Sequence, residues 1–147
     1  MAKKKKRKPT FKEFEKYVSD KIDEIRKVSR LQDWIIHYNF ADGIEDKRIK
    51  DGFQAAASCS TSTEYNEAYI TFYKPTFEAF QEGDIWTVDH TICHEIAHLR
   101  TQELYELARK RFTDPDVIEH EREKLTEIVS RYMHQILEPK RYLDEEY

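Results

Sequence analysis

The chain has 147 residues, of which 39% are hydrophobic and 37% charged, and a formal net charge of −4. That length and apolar content suit one domain with one modest core, and 3 glycines and 4 prolines argue against a long disordered chain or a turn-rich sandwich. No apolar run approaches the roughly 18 residues needed to span a bilayer, so no membrane association is expected.

The basic start is not followed by an apolar stretch and cleavage site, so it does not read as a secretory signal. Two cysteines, Cys59 and Cys93, are too few for a disulfide framework, and a reducing, cytoplasmic setting is expected. Charge is uneven: Lys3, Lys4, Lys5, Lys6, Arg7 and Lys8 form a basic run, so the body that follows is more acidic than the net value. Residues 1–9 are expected to be a disordered basic tail and 10–147 a single domain. The Lys3–Lys8 tail is suited to weak, sequence-independent contact with nucleic acid, or serves only as a solvated terminus.

In chain order, Pro9 closes the tail, and Thr10 with Glu13 forms a capping box. Apolar residues at Phe11, Phe14, Val18, Ile22, Ile25 and Val28 predict a helix ending near Leu31. Trp34 to Phe40 alternates, with Trp34, Ile36, Tyr38 and Phe40 on one side, and predicts a strand. Asp42 to Gly52 is charged and reads as a loop. Phe53 to Cys59 is a second strand candidate, followed by a polar turn over Ser60 to Asn66. Tyr69 to Tyr73 predicts the third strand, with Ala68, Ile70 and Phe72 on one face, and Pro75 stops it. Thr76 to Gly83 carries no clear pattern. A helix is predicted from about Thr87 to Phe112. Asp114 and Pro115 then start a last helix running to about Leu137, where Pro139 ends it. The expected fold class is α+β: an N-terminal helix, a small three-stranded sheet and two C-terminal helices.

His94-Glu95-Ile96-Ala97-His98 matches His-Glu-x-x-His. Residues four apart share a helix face, so both imidazoles can reach one metal, at about 2.0–2.1 Å for zinc. Glu95 lies about 100° round the helix, where it can hold a metal-bound water rather than chelate. Val88, Ile92, Ile96, Leu99 and Leu107 lie opposite the histidines and are expected to be packed. His90 continues the series but reads as a supporting or exposed residue, since one straight helix does not present three ligands to one ion. Cys93 is expected in the core.

Catalytic zinc generally takes three protein ligands and keeps an open position. The last helix offers Glu119, His120, Glu121, Glu123 and Glu127. Its apolar stripe is Ile118, Leu125, Ile128, Val129, Tyr132 and Ile136, with Glu119, Glu123 and Glu127 opposite. Glu123 is the preferred third ligand and Glu127 a partner orienting a histidine. His120 is the chief rival, with Glu121 and Glu127 also open.

Cys93-His94-Glu95-Ile96-Ala97-His98-Leu99, followed by Glu123-Lys124-Leu125-Thr126-Glu127-Ile128-Val129-Ser130, resembles the small phage-encoded metallopeptidases that are similar to minimal gluzincins. The resemblance covers about residues 34–137 in element order, and only the two helices carry its specific part. It implies a zincin-like fold, Zn2+ held by His94, His98 and Glu123, Glu95 as general base, a peptide or protein substrate, and the cytoplasm of a phage host as location. The gluzincin second segment reads Glu-x-x-x-Asp; here it is Glu123-x-x-x-Glu127.

The expected activity is peptide-bond hydrolysis by a zinc-activated water, with Glu95 taking the proton. The strand Tyr69 to Tyr73 could hold substrate by strand addition, with Tyr69 or Tyr73 offering a hydroxyl. Tyr132, about 180° from Glu123, is a poor oxyanion donor. One alternative is a SprT-like DNA-associated peptidase with a histidine, His120, as third ligand. The other is a non-catalytic nucleic-acid or protein-binding module, whose structural zinc would need a fourth ligand.

Overall fold

The capping box at Thr10 starts the first helix, α1, which runs Phe11–Val28. The Glu13 amide donates to Thr10 Oγ1 at 3.3 Å, and the Thr10 amide donates to Glu13 Oε2 at 2.6 Å. These bonds satisfy two amides that the first turn leaves without a helical acceptor. The computed structural model describes residues 7–41, 55–109 and 114–138. Lys3 to Lys6, the charged loop Asp42 to Gly52, Phe53, residues 110–112 and Pro139 lie outside the described residues. Of the expected tail, Arg7 pairs with Glu13 at 2.9 Å, and the Pro9 carbonyl accepts from Gln81 Nε2 at 3.3 Å.

The helix buries Phe14, Val18, Ile22 and Ile25, while Phe11 and Val28 stay more than a third exposed. It ends at Val28 rather than near Leu31. Arg30 takes a left-handed conformation with φ 54°, which turns the chain and drops Leu31 into the core.

Three strands follow: β1 Ile35–Phe40, β2 Ala57–Ser62 and β3 Glu67–Phe72, in the spatial order β1-β3-β2. β1 is parallel to β3 and β2 antiparallel to it. The registers set Phe40, Phe72 and Ala57 in one row, Tyr38, Ile70 and Cys59 in the next, and Ile36, Ala68 and Thr61 in a third. Ala68, Ile70 and Phe72 are buried, as their alternation requires.

Two strand expectations need correction. The second strand lies further along the chain, because Ser60, Thr61 and Ser62 pair with β3 instead of turning. The turn shrinks to residues 63–66 and uses Asn66 at φ 52°. And β3 is central, hydrogen-bonded on both sides, so it has no edge on which a peptide could add.

Residues 74–82, whose sequence has no clear period, form a helix, α2 Lys74–Glu82. Pro75 both stops β3 and occupies the first turn of α2, where its missing amide costs nothing. Gly83, at φ 83°, closes the helix in the left-handed conformation glycine adopts without a Cβ penalty. Phe11, Phe14, Phe40, Phe77 and Phe80 pack ring to ring between α1, β1 and α2, with centroids 5.2–6.3 Å apart.

Two long helices complete the α+β architecture: α3 Ile85–Arg109 and α4 Pro115–Leu137. Asp114 caps α4 by accepting from the Asp116 amide at 2.9 Å, with Pro115 in the first turn. Among the described residues, no helix is long and apolar enough to cross a membrane.

Only part of α4's apolar stripe turns inward: Ile118 is buried and Val129 packs against the core, but much of the rest of the inward face is polar. Thr126, Ser130 and His134 are fully buried, while Ile128, Tyr132 and Ile136 are 50%, 63% and 62% exposed. α3 presents polar groups to this seam, and buried polar groups need polar partners. Thr101 and Thr126 hydroxyls meet at 2.9 Å, and the small side chains of Thr126 and Ser130 let the helices approach. Glu121, which falls within the apolar stripe, is accordingly exposed and pairs with Lys124 at 2.8 Å.

Candidate metal centre

Asp84 caps α3: it accepts from the Thr87 amide at 3.2 Å and from the Thr87 hydroxyl at 2.6 Å. The helix then runs through the middle of the molecule. Val88, Ile92, Cys93, Ile96, Ala97 and Leu99 are buried against α1 and the sheet, as expected for its packed side. Leu107 is the exception at 59% exposed, because α3 has by then run past the core. Between residues 91 and 99 only His94 and His98 escape full burial, so the histidine face is the side that opens to a cleft.

α4 runs antiparallel across that face. His94 Nε2 lies 3.5 Å from Glu123 Oε2, and His98 Nε2 lies 3.8 Å from Glu123 Oε1. His94, His98 and Glu123 each offer a ligand atom, all within 4.8 Å of one another. Two ligands about 2.0–2.1 Å from a tetrahedral ion sit roughly 3.3–3.4 Å apart, so the group needs little adjustment to enclose one.

The other imidazole nitrogens are held separately. His94 Nδ1 is 3.2 Å from Glu127 Oε2, and His98 Nδ1 is 3.4 Å from the Thr126 hydroxyl. Held this way, each ring directs Nε2 at Glu123. This is the arrangement in which outer partners orient metal-binding histidines. Glu127 also reaches His90 Nε2 at 3.2 Å and Arg131 Nε at 2.9 Å. His90 stacks on Trp86 with centroids 4.9 Å apart and stands outside the convergent group. His120 is exposed and also outside it, so the structure brings Glu123, not His120, to the histidine pair.

Electrostatics separate these groups. Burial pushes the Glu95 carboxyl up to about 7, against a smaller opposing pull from His94 and with a lesser push from the Glu123 charge. The hydrogen bond to His94 leads in holding Glu123 at about 2. Burial lowers His98 to about 4. Burial would also lower His94, but the carboxylates of Glu123, Glu95 and Glu127 outweigh it and raise it. The set therefore offers an ionised carboxylate and a neutral His98 at neutral pH, which suits a divalent cation.

Four features of the site are not visible in the motifs. Arg122, one residue before Glu123, reaches that carboxylate at 3.2 Å. Thr126 and Thr101 line the seam behind His98. And β2, not β3, borders His98: Cys59, Ser60 and Thr61 wall a polar cleft of about 250 Å³ with His98, Gln102 and Arg122. The available signal was the polar spacing Thr126, Ser130, His134, one position from the Glu123–Glu127 row.

No family model, curated protein or solved structure matches the chain.

A second group, Asp89, His134 and Glu138, also brings potential ligand atoms together. There Asp89 accepts from the Tyr17 hydroxyl at 2.5 Å and faces the Lys21 ammonium at 3.4 Å. Lys21 already supplies the positive charge a metal would bring.

The shift at Glu95 makes a prediction independent of catalysis. Its folded-state value, about 7, stands above the usual 4.5, so this group's contribution to stability is full below about 4.5 and lost as pH rises through 7. Metal-free Glu95→Gln is therefore expected to be more stable than the metal-free parent near pH 8.5, by on the order of 2–3 kcal/mol. The gap narrows towards pH 4.5, and thermal unfolding of both proteins at the two pH values checks it.

Proposed function

We propose that the chain is a zinc-dependent peptidase, with His94, His98 and Glu123 as ligands and Glu95 as general base. One observation carries this reading: two imidazole Nε2 atoms and one carboxylate converge, while Glu127 and Thr126 hold both Nδ1 atoms. Two histidines and a glutamate are the donor set of a hydrolytic zinc with an open position.

When bound, zinc supplies Lewis acidity, lowering the pKa of a coordinated water towards about 7 and polarising a carbonyl. The protein's own groups do the rest. Glu95, at 6% exposure beside His94, takes the proton of the attacking water and passes it to the leaving amine. In the metal-free protein burial raises its carboxyl to about 7, so it accepts a proton more readily than an ordinary carboxylate. An extended peptide is received along β2, which among the described residues is a sheet edge and walls the cleft beside His98. Neither Tyr69 nor Tyr73 serves that cleft: Tyr69 is bonded to Glu67 on the sheet and Tyr73 to Ser58.

The test is metal content and turnover on one preparation. About one zinc per chain is expected, with cleavage of an unstructured protein substrate that is lost on chelation and restored by zinc. A protein that stays zinc-free after refilling at neutral pH, or one whose turnover ignores the chelator, would overturn the proposal.

A further inference from the structure

Neighbouring residues on a helix point about 100° apart, so the residue before a metal ligand normally faces elsewhere. Arg122 does not. Its side chain is 20% exposed and folds back along α4, where Nη2 donates to Glu119 Oε1 and, at 3.2 Å, to Glu123 Oε1. Its guanidinium lies over the Tyr105 ring of α3, with Cζ 4.3 Å from the centroid. The plane is thus fixed on one side by an aromatic face and at its edge by two carboxylates. Both bonds come from the one nitrogen Nη2, and it is the flat guanidinium face on Tyr105 that lysine's point charge does not reproduce.

The bond to Oε1 has a consequence for the other oxygen. A glutamate side chain has three rotatable bonds and, unrestrained, would sample many positions around two imidazoles. With Oε1 held by Arg122, Oε2 is left 3.5 Å from His94 Nε2. Arg122 also offsets the charge of Glu119 and Glu123, which stand four residues apart on one stripe and would otherwise repel.

We propose that Arg122 is a positioning residue: clamped by Tyr105 and Glu119, it holds the Glu123 carboxylate in the orientation that completes the metal site. The inference rests on the ligand assignment of the proposed function and adds how the third ligand is fixed.

The sign of the effect separates this from simple charge. A guanidinium beside a cation site repels the cation, so on Coulomb grounds alone its removal tightens metal binding. Positioning predicts the opposite. In the full chain, Arg122→Gln is expected to weaken zinc binding about 10–100-fold, the range for partners that orient ligands. Zinc affinity is read by competition with a chromophoric chelator, and thermal unfolding of the metal-free proteins shows that the fold is intact. Arg122→Lys is expected to recover only part of the loss. In a Glu123→Ala background, Arg122→Gln is expected to change affinity less than about threefold, because the group it acts through is gone. Unchanged or tighter zinc binding by Arg122→Gln overturns the proposal, as does an equal loss in the Glu123→Ala background. The assay reads affinity and not turnover. A parent protein that binds zinc but cleaves nothing therefore defeats the peptidase reading, while the Arg122 comparison still decides this one.

Discussion

Glu95→Gln is expected to keep its zinc and to lose peptide hydrolysis by about 10²–10⁴-fold, the usual contribution of a positioned general base. The substitution keeps shape and hydrogen-bonding size but removes the proton acceptor. Glu95 lies outside the convergent ligand group, so zinc content should be unaffected. The fold should hold as well, because the change removes a buried carboxyl whose ionisation is already disfavoured by desolvation. Loss of activity therefore cannot be ascribed to a collapsed site, provided zinc per chain and unfolding temperature are measured on the same sample. Turnover within threefold or so of the parent would remove Glu95 from the chemistry. Loss of zinc would mean instead that its carboxylate is a ligand.

The parts of this site that were legible in the sequence are those fixed by local geometry. A spacing of four places His94 and His98 on one face of any helix, and the apolar residues Val88, Ile92 and Ile96 fix which face is packed. The caps at Thr10 and Asp114 likewise need only their near neighbours. What failed depended on partners distant in sequence. The apolar stripe of α4 runs through Ile118, Leu125, Ile128, Val129, Tyr132 and Ile136, and the hydrophobic effect alone would bury all of it, yet Ile128, Tyr132 and Ile136 stay exposed. The polar surface of α3 instead draws in Thr126, Ser130 and His134; their spacing of four marks a polar row, but nothing within α4 says that this row outcompetes the apolar one. Ser60 to Ser62 has the composition of a turn, yet β3 offers it a ladder, and pairing outweighs propensity. Arg122 carries no sign of its role in the sequence, because a residue adjacent to a ligand on a helix ordinarily points about 100° away from it. Its role appears only when Tyr105, seventeen positions earlier, is seen beneath it.

Glu123→Ala is expected to weaken zinc binding by more than about 100-fold, beyond what loss of an orienting partner costs, and His120→Ala to leave it unchanged. The two residues are three apart on α4, but only Glu123 reaches the histidines, while His120 is exposed. Elemental analysis of both variants and the parent, purified identically, checks the pair. Clear loss in His120→Ala with retention in Glu123→Ala would reverse the assignment and point to a site with three histidines. The pH dependence gives an independent signature. Glu123 is held at about 2, so it remains ionised through the whole range in which the fold can be studied. Acid release of zinc from the parent should therefore be driven by protonation of the imidazoles. His94 should lead, since the carboxylates around it raise its proton affinity, whereas burial lowers that of His98 to about 4. Removing Glu123 takes away the largest of the carboxylate contributions that favour a proton on His94. Whatever zinc the Glu123→Ala variant still binds should accordingly be lost at a lower pH than its reduced affinity alone would predict.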